Sequence, residues 1–220
     1  MPTLSERDSK ELLAAFGVPF APEHLATSAH EAVTAAQTVG FPVVIKLCGD
    51  NIAHKTERGL VKLNLRDSAA AHDAAQVLLD AARPEDHATG VLVAPMLTGN
   101  RELIAGLVDD EVFGMCVMIG IGGVLAEALG DVVFRLVPIT EVDAAEMLDG
   151  LKTQKLLGEF RGEPAVDRHA VIGALMALSA VAEQRPEVRS VDINPMIIVD
   201  GRPIAVDALV EISTSIGAAH

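Results

Sequence analysis

The order of hydrophobic patterns in this 220-residue chain predicts an α+β protein. Short apolar or alternating runs, typical of strands, come in groups, and amphipathic helical patterns are segregated between those groups. Regular alternation of one strand with one helix would instead predict a doubly wound parallel sheet. We therefore expect two α+β lobes. A helix at 5–16 leads into a small lobe of about 18–95, which is followed by a large lobe of about 96–212.

After the lead-in helix, the small lobe is predicted to contain two helices and at least three strands. Leu12, Leu13 and Phe16 have helical spacing in the lead-in helix. Ser28, followed three residues later by Glu31, predicts a capping box for the next helix, which should end at Gly40. The remaining elements are strands at 41–47, 60–65 and 90–96 and a helix from about 67 to about 82.

The large lobe is predicted to contain more strands. We expect strands at 101–107 and 112–119, joined by a turn at Asp109-Asp110, and a second pair at 124–129 and 132–138. Helices follow at 141–151 and at about 167–183. A hairpin at 190–209 completes the lobe, because Asp200-Gly201 suits a two-residue turn in which both residues need φ > 0.

Composition excludes several classes of protein. The formal charge is −14, from 17 Lys and Arg against 31 Asp and Glu, and this argues against a nucleic-acid surface. The chain has no Trp or Tyr for base stacking. No apolar run is long enough to span a bilayer, and we see no secretion signal. The two cysteines suit a reducing compartment, so we expect a cytoplasmic protein that does not act at a membrane.

The predicted hairpin groups three oxygen-bearing side chains. Counting outward from the Asp200-Gly201 turn places Asn194 opposite Asp207, and Asp192 shares their face because it lies two residues from Asn194. Two carboxylates and an amide are hard ligands of the kind that Mg²⁺ takes when it carries a nucleotide. The alternative is that these residues serve only turn and edge-strand chemistry.

Three further features have both a structural and a chemical interpretation. Lys46 is the only charge in a buried strand pattern, so it either extends its stem to solvent or holds a phosphate oxygen. His54 lies between two strands and is either a solvated loop residue or a covalent phosphoryl acceptor. Gly59 after it would let the backbone approach a phosphate.

The segment Gly120-Ile-Gly-Gly123 is not a dinucleotide-binding fingerprint, because its glycine spacing differs. It is either a tight turn or a set of backbone N–H groups lining an anion site. Glu127 and Asp131, which follow it, are either surface charges or acids of a cleft.

Seven short motifs occur together in one order between Phe41 and Ala208, and the resemblance that they carry covers about residues 5–212. They are Phe41-Pro-Val-Val-Ile-Lys46, His54-Lys-Thr-Glu-Arg-Gly59, Glu102-Leu-Ile-Ala-Gly106 with Phe113-Gly114, Gly120-Ile-Gly-Gly123 with Glu127 and Asp131, Arg161-Gly162, Asp192-Ile-Asn-Pro195, and Val206-Asp207-Ala208. In this order the chain resembles the ATP-grasp (β) subunit or domain of the ADP-forming acyl-CoA synthetases, of the acetate–CoA ligase type. It departs from their motif at Leu60, where the family has a second glycine.

The resemblance implies an ATP-grasp fold with a nucleotide cleft between two lobes. It also implies an acid–CoA ligase activity that uses ATP/ADP and Mg²⁺, with His54 relaying a phosphoryl group. Metal ligands would be Asp192, Asn194 and Asp207. The residues that would bind the nucleotide are Lys46, Gly59, Val93, Ala94, Met96 and Glu102.

The CoA and acyl sites are not among these 220 residues. The resemblance therefore implies a CoA-binding (α) subunit or domain that carries the primary phosphohistidine, and so a hetero-oligomer. Two alternatives stay open: a regulatory nucleotide-binding module of a fused acetyltransferase, and an ATP-grasp ligase that joins a carboxylate to an amine. His54 argues against the second, since such ligases need no relay histidine.

Overall fold

The computed structural model describes residues 2–50, 52, 55–123 and 130–213. They form two compact units. The smaller contains Leu4–Arg7 and Ala21–Leu97, and the larger contains residues up to Thr3, Asp8–Phe20 and the described residues from Thr98 onward. His54, Glu127 and the predicted strand at 124–129 lie outside the described residues. Among the described helices, none is both long and apolar enough to cross a membrane.

The smaller unit is a four-stranded antiparallel sheet with helices packed on it. Its elements are β1 (His24–Ala26), α2 (Ala29–Val39), β2 (Val43–Gly49), β3 (Val61–Leu65), α3 (Ser68–Asp80) and β4 (Ala88–Pro95), after α1 (Glu6–Phe16), whose first two residues belong here. The strand order is β1-β4-β2-β3. Buried aliphatic side chains of β2 and β4 pack against alanines of α2 and α3, such as Ala36 and Ala75. These small side chains allow close approach of the helices to the sheet.

The larger unit contains a six-stranded antiparallel sheet. Its elements are β5 (Glu102–Asp110), β6 (Gly114–Ile121), β7 (Val132–Leu136), α4 (Glu141–Gly150), α5 (Arg168–Gln184), β8 (Val188–Val199), β9 (Arg202–Ala205) and β10 (Leu209–Ile212). The order is β10-β8-β5-β6-β7, with β9 also paired to β8. Helix α5 buries Val171, Leu175, Leu178 and Val181. Grouped strands with segregated helices confirm the α+β prediction.

Two local predictions differ from the structure, and one short strand is not located by the sequence pattern. The turn between β5 and β6 is at Glu111–Phe113, not at Asp109-Asp110, because the Asp110 carboxylate accepts the N–H groups of the two residues at 112 and 113. Ser28 does cap α2, but the Glu31 carboxylate accepts from Thr27 instead of closing a capping box. Strand β1 is not predicted, because three residues are too few to show a period.

Candidate functional site

Lys46 emerges from the most buried strand of the smaller unit. It is the one residue of β2 that is not fully buried. Its Nζ donates to Glu6 Oε1 at 2.7 Å, and the two side chains are 12% and 1% exposed. The other oxygen of the same carboxylate, Glu6 Oε2, accepts from Lys55 Nζ at 2.5 Å. A single buried acid therefore bridges two lysines.

The loop at 55–60, which follows His54 in the chain, is held at three points. Lys55 binds Glu6, and Arg58 makes a two-pronged pair with Asp86 at 2.7 and 2.8 Å. The third point is Leu60, which is 2% exposed and packs in the core of the smaller unit. The side chain of Leu60, which stands where the family has a second glycine, therefore lies in the core.

Backbone hydrogen bonds complete this loop. Gly59 has φ +70°, and its N–H donates to the carbonyl of Thr56, while Leu60 N–H donates to the carbonyl of Lys55. The left-handed conformation at Gly59 favours glycine. The predicted glycine is thus part of a tight turn directly before β3.

Strand β4 contains the residues expected to contact a base. Val93 is buried, and it is paired on both sides, with His24 of β1 and with Ile45 of β2. Pairing with β1 stops there, so within the described residues Ala94 is paired only with Val44 of β2. Met96 lies just past the strand, and its N–H donates to the carbonyl of Pro42.

In the larger unit, Glu102 lies at the start of β5 beside the glycine segment. Its carbonyl accepts from Gly122 N–H at 2.7 Å, and a Cβ at Gly122 would come within 3.1–3.3 Å of three Glu102 atoms. Gly123 has φ +87° and lies near the Glu102 carboxylate. The glycines therefore let this segment pass tightly over Glu102.

Asp131 has a structural role rather than that of a surface charge. Its buried carboxylate accepts the backbone N–H groups of Lys152 and Thr153, both at 2.8 Å. Burial acts to raise the pKa of Asp131, but hydrogen bonds from Thr153 and Lys152 outweigh it and hold the pKa below its ordinary value.

The hairpin has the predicted register. Val199 pairs with Arg202 and Ile198 with Pro203, and beyond the break between β9 and β10 the same count continues, with Leu209 opposite Asp192. The pairs on either side of Asn194 and Asp207 thus keep the count by which the sequence predicts that these two residues face each other. The neighbours Val191 and Ile193 are buried, whereas Asp192 and Asn194 are exposed on the other face.

The two carboxylates of this patch differ in environment. Burial raises the pKa of Asp192, although solvent reaches the residue from one side. Asp207 is half-buried, and its Oδ1 accepts from the N–H of Ala208 at 3.1 Å. Gly106 pairs with Asp192 from β5, and a Cβ on Gly106 would collide with the carbonyl oxygen of Val191. A glycine is thus required at position 106 for β5 and β8 to approach each other this closely beside Asp192.

The donor chemistry of this patch fits Mg²⁺. Asp192, Asn194 and Asp207 offer hard oxygen ligands on one face, and Mg²⁺ takes few protein ligands because it retains waters and phosphate oxygens. Within the described residues, no group of three or more His, Cys, Asp or Glu side chains is placed to hold a metal. The fit therefore depends on the amide of Asn194 and on oxygens that a nucleotide would bring.

Sequence reasoning did not find the charged residues that support these groups. Glu6 and Asp86 are far along the chain from the cations that they bind. Arg101 is 3% exposed, binds Glu163, and donates to three carbonyls of the segment 156–164. That segment contains the motif Arg161-Gly162, whose residues both have positive φ. These buried charged residues could not be identified from the sequence, because a single charged residue leaves no periodic pattern around it.

Known proteins are similar to this chain over most of its length. A model of the ATP-grasp domain family matches residues 2–212. The β subunit of ADP-forming acetate–CoA ligase I from Pyrococcus furiosus is 36% identical over 208 residues, which are 93% of this chain and 90% of that subunit. An ADP-forming 4-hydroxybutyrate–CoA ligase from Nitrosopumilus maritimus is 36% identical over 202 residues, 90% of this chain but 29% of the ligase.

A solved structure is similar along almost the whole chain. It is acetyl-coenzyme A synthetase 1 of Ca. Korarchaeum cryptofilum in complex with coenzyme A and Mg-AMPPCP, with its phosphohistidine segment pointing towards the nucleotide-binding site. The TM-score is 0.80 at 34% identity, over 94% of this chain and 92% of that chain. The ATP-grasp fold expected from the motif order is confirmed.

The fold and the matched relatives define a class. This chain belongs to the ATP-grasp domain family, and within it to the β subunits of ADP-forming acyl-CoA synthetases.

Proposed function

We propose that this chain is the nucleotide-binding subunit of an ADP-forming acyl-CoA synthetase. It exchanges a phosphoryl group between a phosphohistidine and ADP/ATP, with Mg²⁺. The observation that carries the proposal is the 36% identity to a ligase β subunit over 93% of this chain and 90% of that subunit. The overall reaction, an acid–CoA ligation, needs a second subunit.

The smaller unit supplies groups for the nucleotide. Ala94 and Met96 lie just past the end of the β1 pairing, which supports a role for their backbone groups in binding adenine, with Val93, paired on both sides, holding the strand in position. Met96 would use its carbonyl oxygen, since its N–H binds Pro42. Lys46 binds a phosphate oxygen, and Gly59 lets the backbone of its turn approach the phosphates.

The larger unit supplies the acids. Asp192, Asn194 and Asp207 hold Mg²⁺, which when bound neutralises phosphate charge. Glu102 lies beside the glycine segment and contributes a further oxygen on the nucleotide side. Phosphoryl transfer depends mainly on positioning and on charge neutralisation, so this set of groups suits the chemistry.

His54 is proposed as the relay. A neutral ring nitrogen donates its lone pair to the γ-phosphorus of ATP, and the N–P bond forms as the bond to the β-phosphate oxygen breaks. The electron pair of the broken bond leaves with ADP. In the reverse direction, an oxygen of the ADP β-phosphate attacks the phosphohistidine, and the imidazole recovers its electron pair.

The partner is a CoA-binding subunit or domain that carries the primary phosphohistidine. It forms the acyl phosphate and passes the phosphoryl group to His54. Two properties support this proposal: the matched Pyrococcus protein is called a β subunit, and the matched Nitrosopumilus ligase extends far beyond the segment shared with this chain.

Phosphate labelling tests the proposal. The chain, mixed with its CoA-binding partner, Mg²⁺ and ATP labelled at the γ-phosphate, is expected to gain an acid-labile, alkali-stable phosphate. His54→Ala should remove the label from this chain. His72→Ala is the matched control, because His72 is a half-exposed histidine on α3. Equal labelling of the wild type and His54→Ala would show that the relay is not His54.

A further inference from the structure

The carboxylate of Glu6 joins two lysines that the chain brings from different segments. Lys46 lies on β2, and Lys55 lies in the loop before β3, immediately after His54 in the sequence. Each lysine takes a separate oxygen of Glu6, at 2.7 and 2.5 Å. The acid is 1% exposed and each lysine is 12% exposed, so bulk solvent screens these contacts little.

The cluster holds two ammonium groups in place. Both share the one carboxylate of Glu6 in a mostly buried place. A phosphate oxygen that approaches Lys46 meets a cation whose position is already set. A lysine side chain otherwise has several rotatable bonds, and ordering one costs up to about 2 kcal/mol of conformational free energy. Because the ion pair with Glu6 already orders the Lys46 side chain, nucleotide binding does not have to order it.

We infer that Glu6 is a positioning residue for phosphoryl transfer, because it fixes the Lys46 and Lys55 ammonium groups on one carboxylate. The inference rests on the proposed function, since it takes phosphoryl transfer as the reaction. Glu6 acts through the two lysines and does not touch the substrate. Through Lys55, Glu6 also holds the start of the loop at 55–60, and the Arg58–Asp86 pair holds the same loop at a second point.

Glu6→Gln separates positioning from binding. The amide keeps the shape of the side chain, but its single oxygen can accept from one lysine, and its NH₂ group faces the other. The variant removes one negative charge next to Lys46, so ADP affinity should stay within about threefold of wild type or become tighter. The rate of phosphate incorporation should fall about 10- to 100-fold, because the cations are no longer held in place. A residue with a purely structural role would lower both together.

The experiment is a single-turnover labelling of the chain with its CoA-binding partner, Mg²⁺ and γ-labelled ATP, with ADP affinity measured by calorimetry. Glu11→Gln is the matched control, since Glu11 is an exposed acid on the same helix. Lys55→Met is a second variant that leaves the Glu6–Lys46 pair in place. It should also slow labelling while leaving ADP affinity nearly unchanged.

The outcomes separate the two proposals. A wild-type chain that takes up no phosphate removes both the proposed function and this inference. If the wild type is labelled and Glu6→Gln is labelled at the same rate, only the inference is overturned. If Glu6→Gln does not fold, Lys55→Met decides: slow labelling at normal affinity supports the inference, and an unchanged rate contradicts it.

Discussion

Two charged groups in this protein are built in opposite ways. The lysines of the smaller unit, Lys46 and Lys55, are held by Glu6, a residue forty positions from Lys46 in the chain. The acidic patch of the larger unit, at Asp192, Asn194 and Asp207, comes from the register of a single antiparallel hairpin. The first depends on long-range side-chain contacts in a buried place, and the second on local backbone pairing.

The two groups therefore differ in how their charges are arranged before a ligand binds. The cations are already neutralised in part, and their positions are set by an ion pair. Asp192 and Asn194 lie on the more exposed face of β8, and Asp207 lies between β9 and β10. Burial already raises the pKa of Asp192. A cation bound there would remove that unfavourable charge. Under the proposed function, the ordered lysines of the smaller unit would bind phosphate, and the oxygen ligands of the larger unit would bind a cation.

The largest effect is expected at Leu60, the third anchor of the loop at 55–60. Leu60→Ala should lower the free energy of unfolding by about 3 kcal/mol, because the side chain is fully packed in the core. Denaturant titration measures this loss. Leu63→Ala on the neighbouring strand is the control, since Leu63 is 58% exposed, and it should stay within about 0.5 kcal/mol of wild type. Equal stability of the two variants would contradict the anchoring role of Leu60.

A smaller effect, on binding, is expected in the acidic patch. Asp207→Ala should weaken the affinity for Mg²⁺–nucleotide about 10- to 100-fold, as changes around bound metals commonly do. Unfolding free energy should fall by about 1 kcal/mol or less, because Asp207 is half-buried and its removal takes away the acceptor of the Ala208 N–H. Calorimetry with and without Mg²⁺ measures the binding.

The control for this variant is Asp109→Ala, a partly exposed carboxylate paired with Arg189 in the same sheet. It should bind Mg²⁺–nucleotide as the wild type does. If Asp207→Ala also keeps wild-type affinity, the hairpin acids do not form the metal site.

The same contrast explains what could be predicted from the sequence. The period of two along β8 and the turn residues Asp200-Gly201 are local signals, so the register and the grouping of Asn194 with Asp207 follow by counting. Strand and helix order follow from periodicity in the same way. The ion pairs of Glu6 and of Asp86 could not be predicted, because they join side chains that only the tertiary fold brings together. Gly106 is intermediate, since its role is visible only once β8 lies beside β5.

The smallest of these effects is expected at the Arg58–Asp86 pair, and it depends on pH. The hydrogen bond from Arg58 is the main cause that lowers the pKa of Asp86 from 3.8 to about 2. Because the folded-state pKa lies below the unfolded value, the pair stabilises the protein above about pH 4 and loses this contribution as the pH falls towards 2. The contribution is about 2 kcal/mol or less, since a quarter of the Arg58 side chain is exposed.

Asp86→Asn should therefore be less stable than wild type at pH 7, and the difference should shrink between about pH 5 and pH 2. Urea titrations across this range measure it, with Asp73→Asn as the control, because Asp73 is an 85% exposed carboxylate in the same unit. A gap that stays constant down to pH 2 would mean that Asp86 is not ionised against Arg58. In that case the loop at 55–60 would be held only by Glu6 and Leu60. The smaller unit would then have fewer charged side chains held in place by ion pairs before a ligand binds.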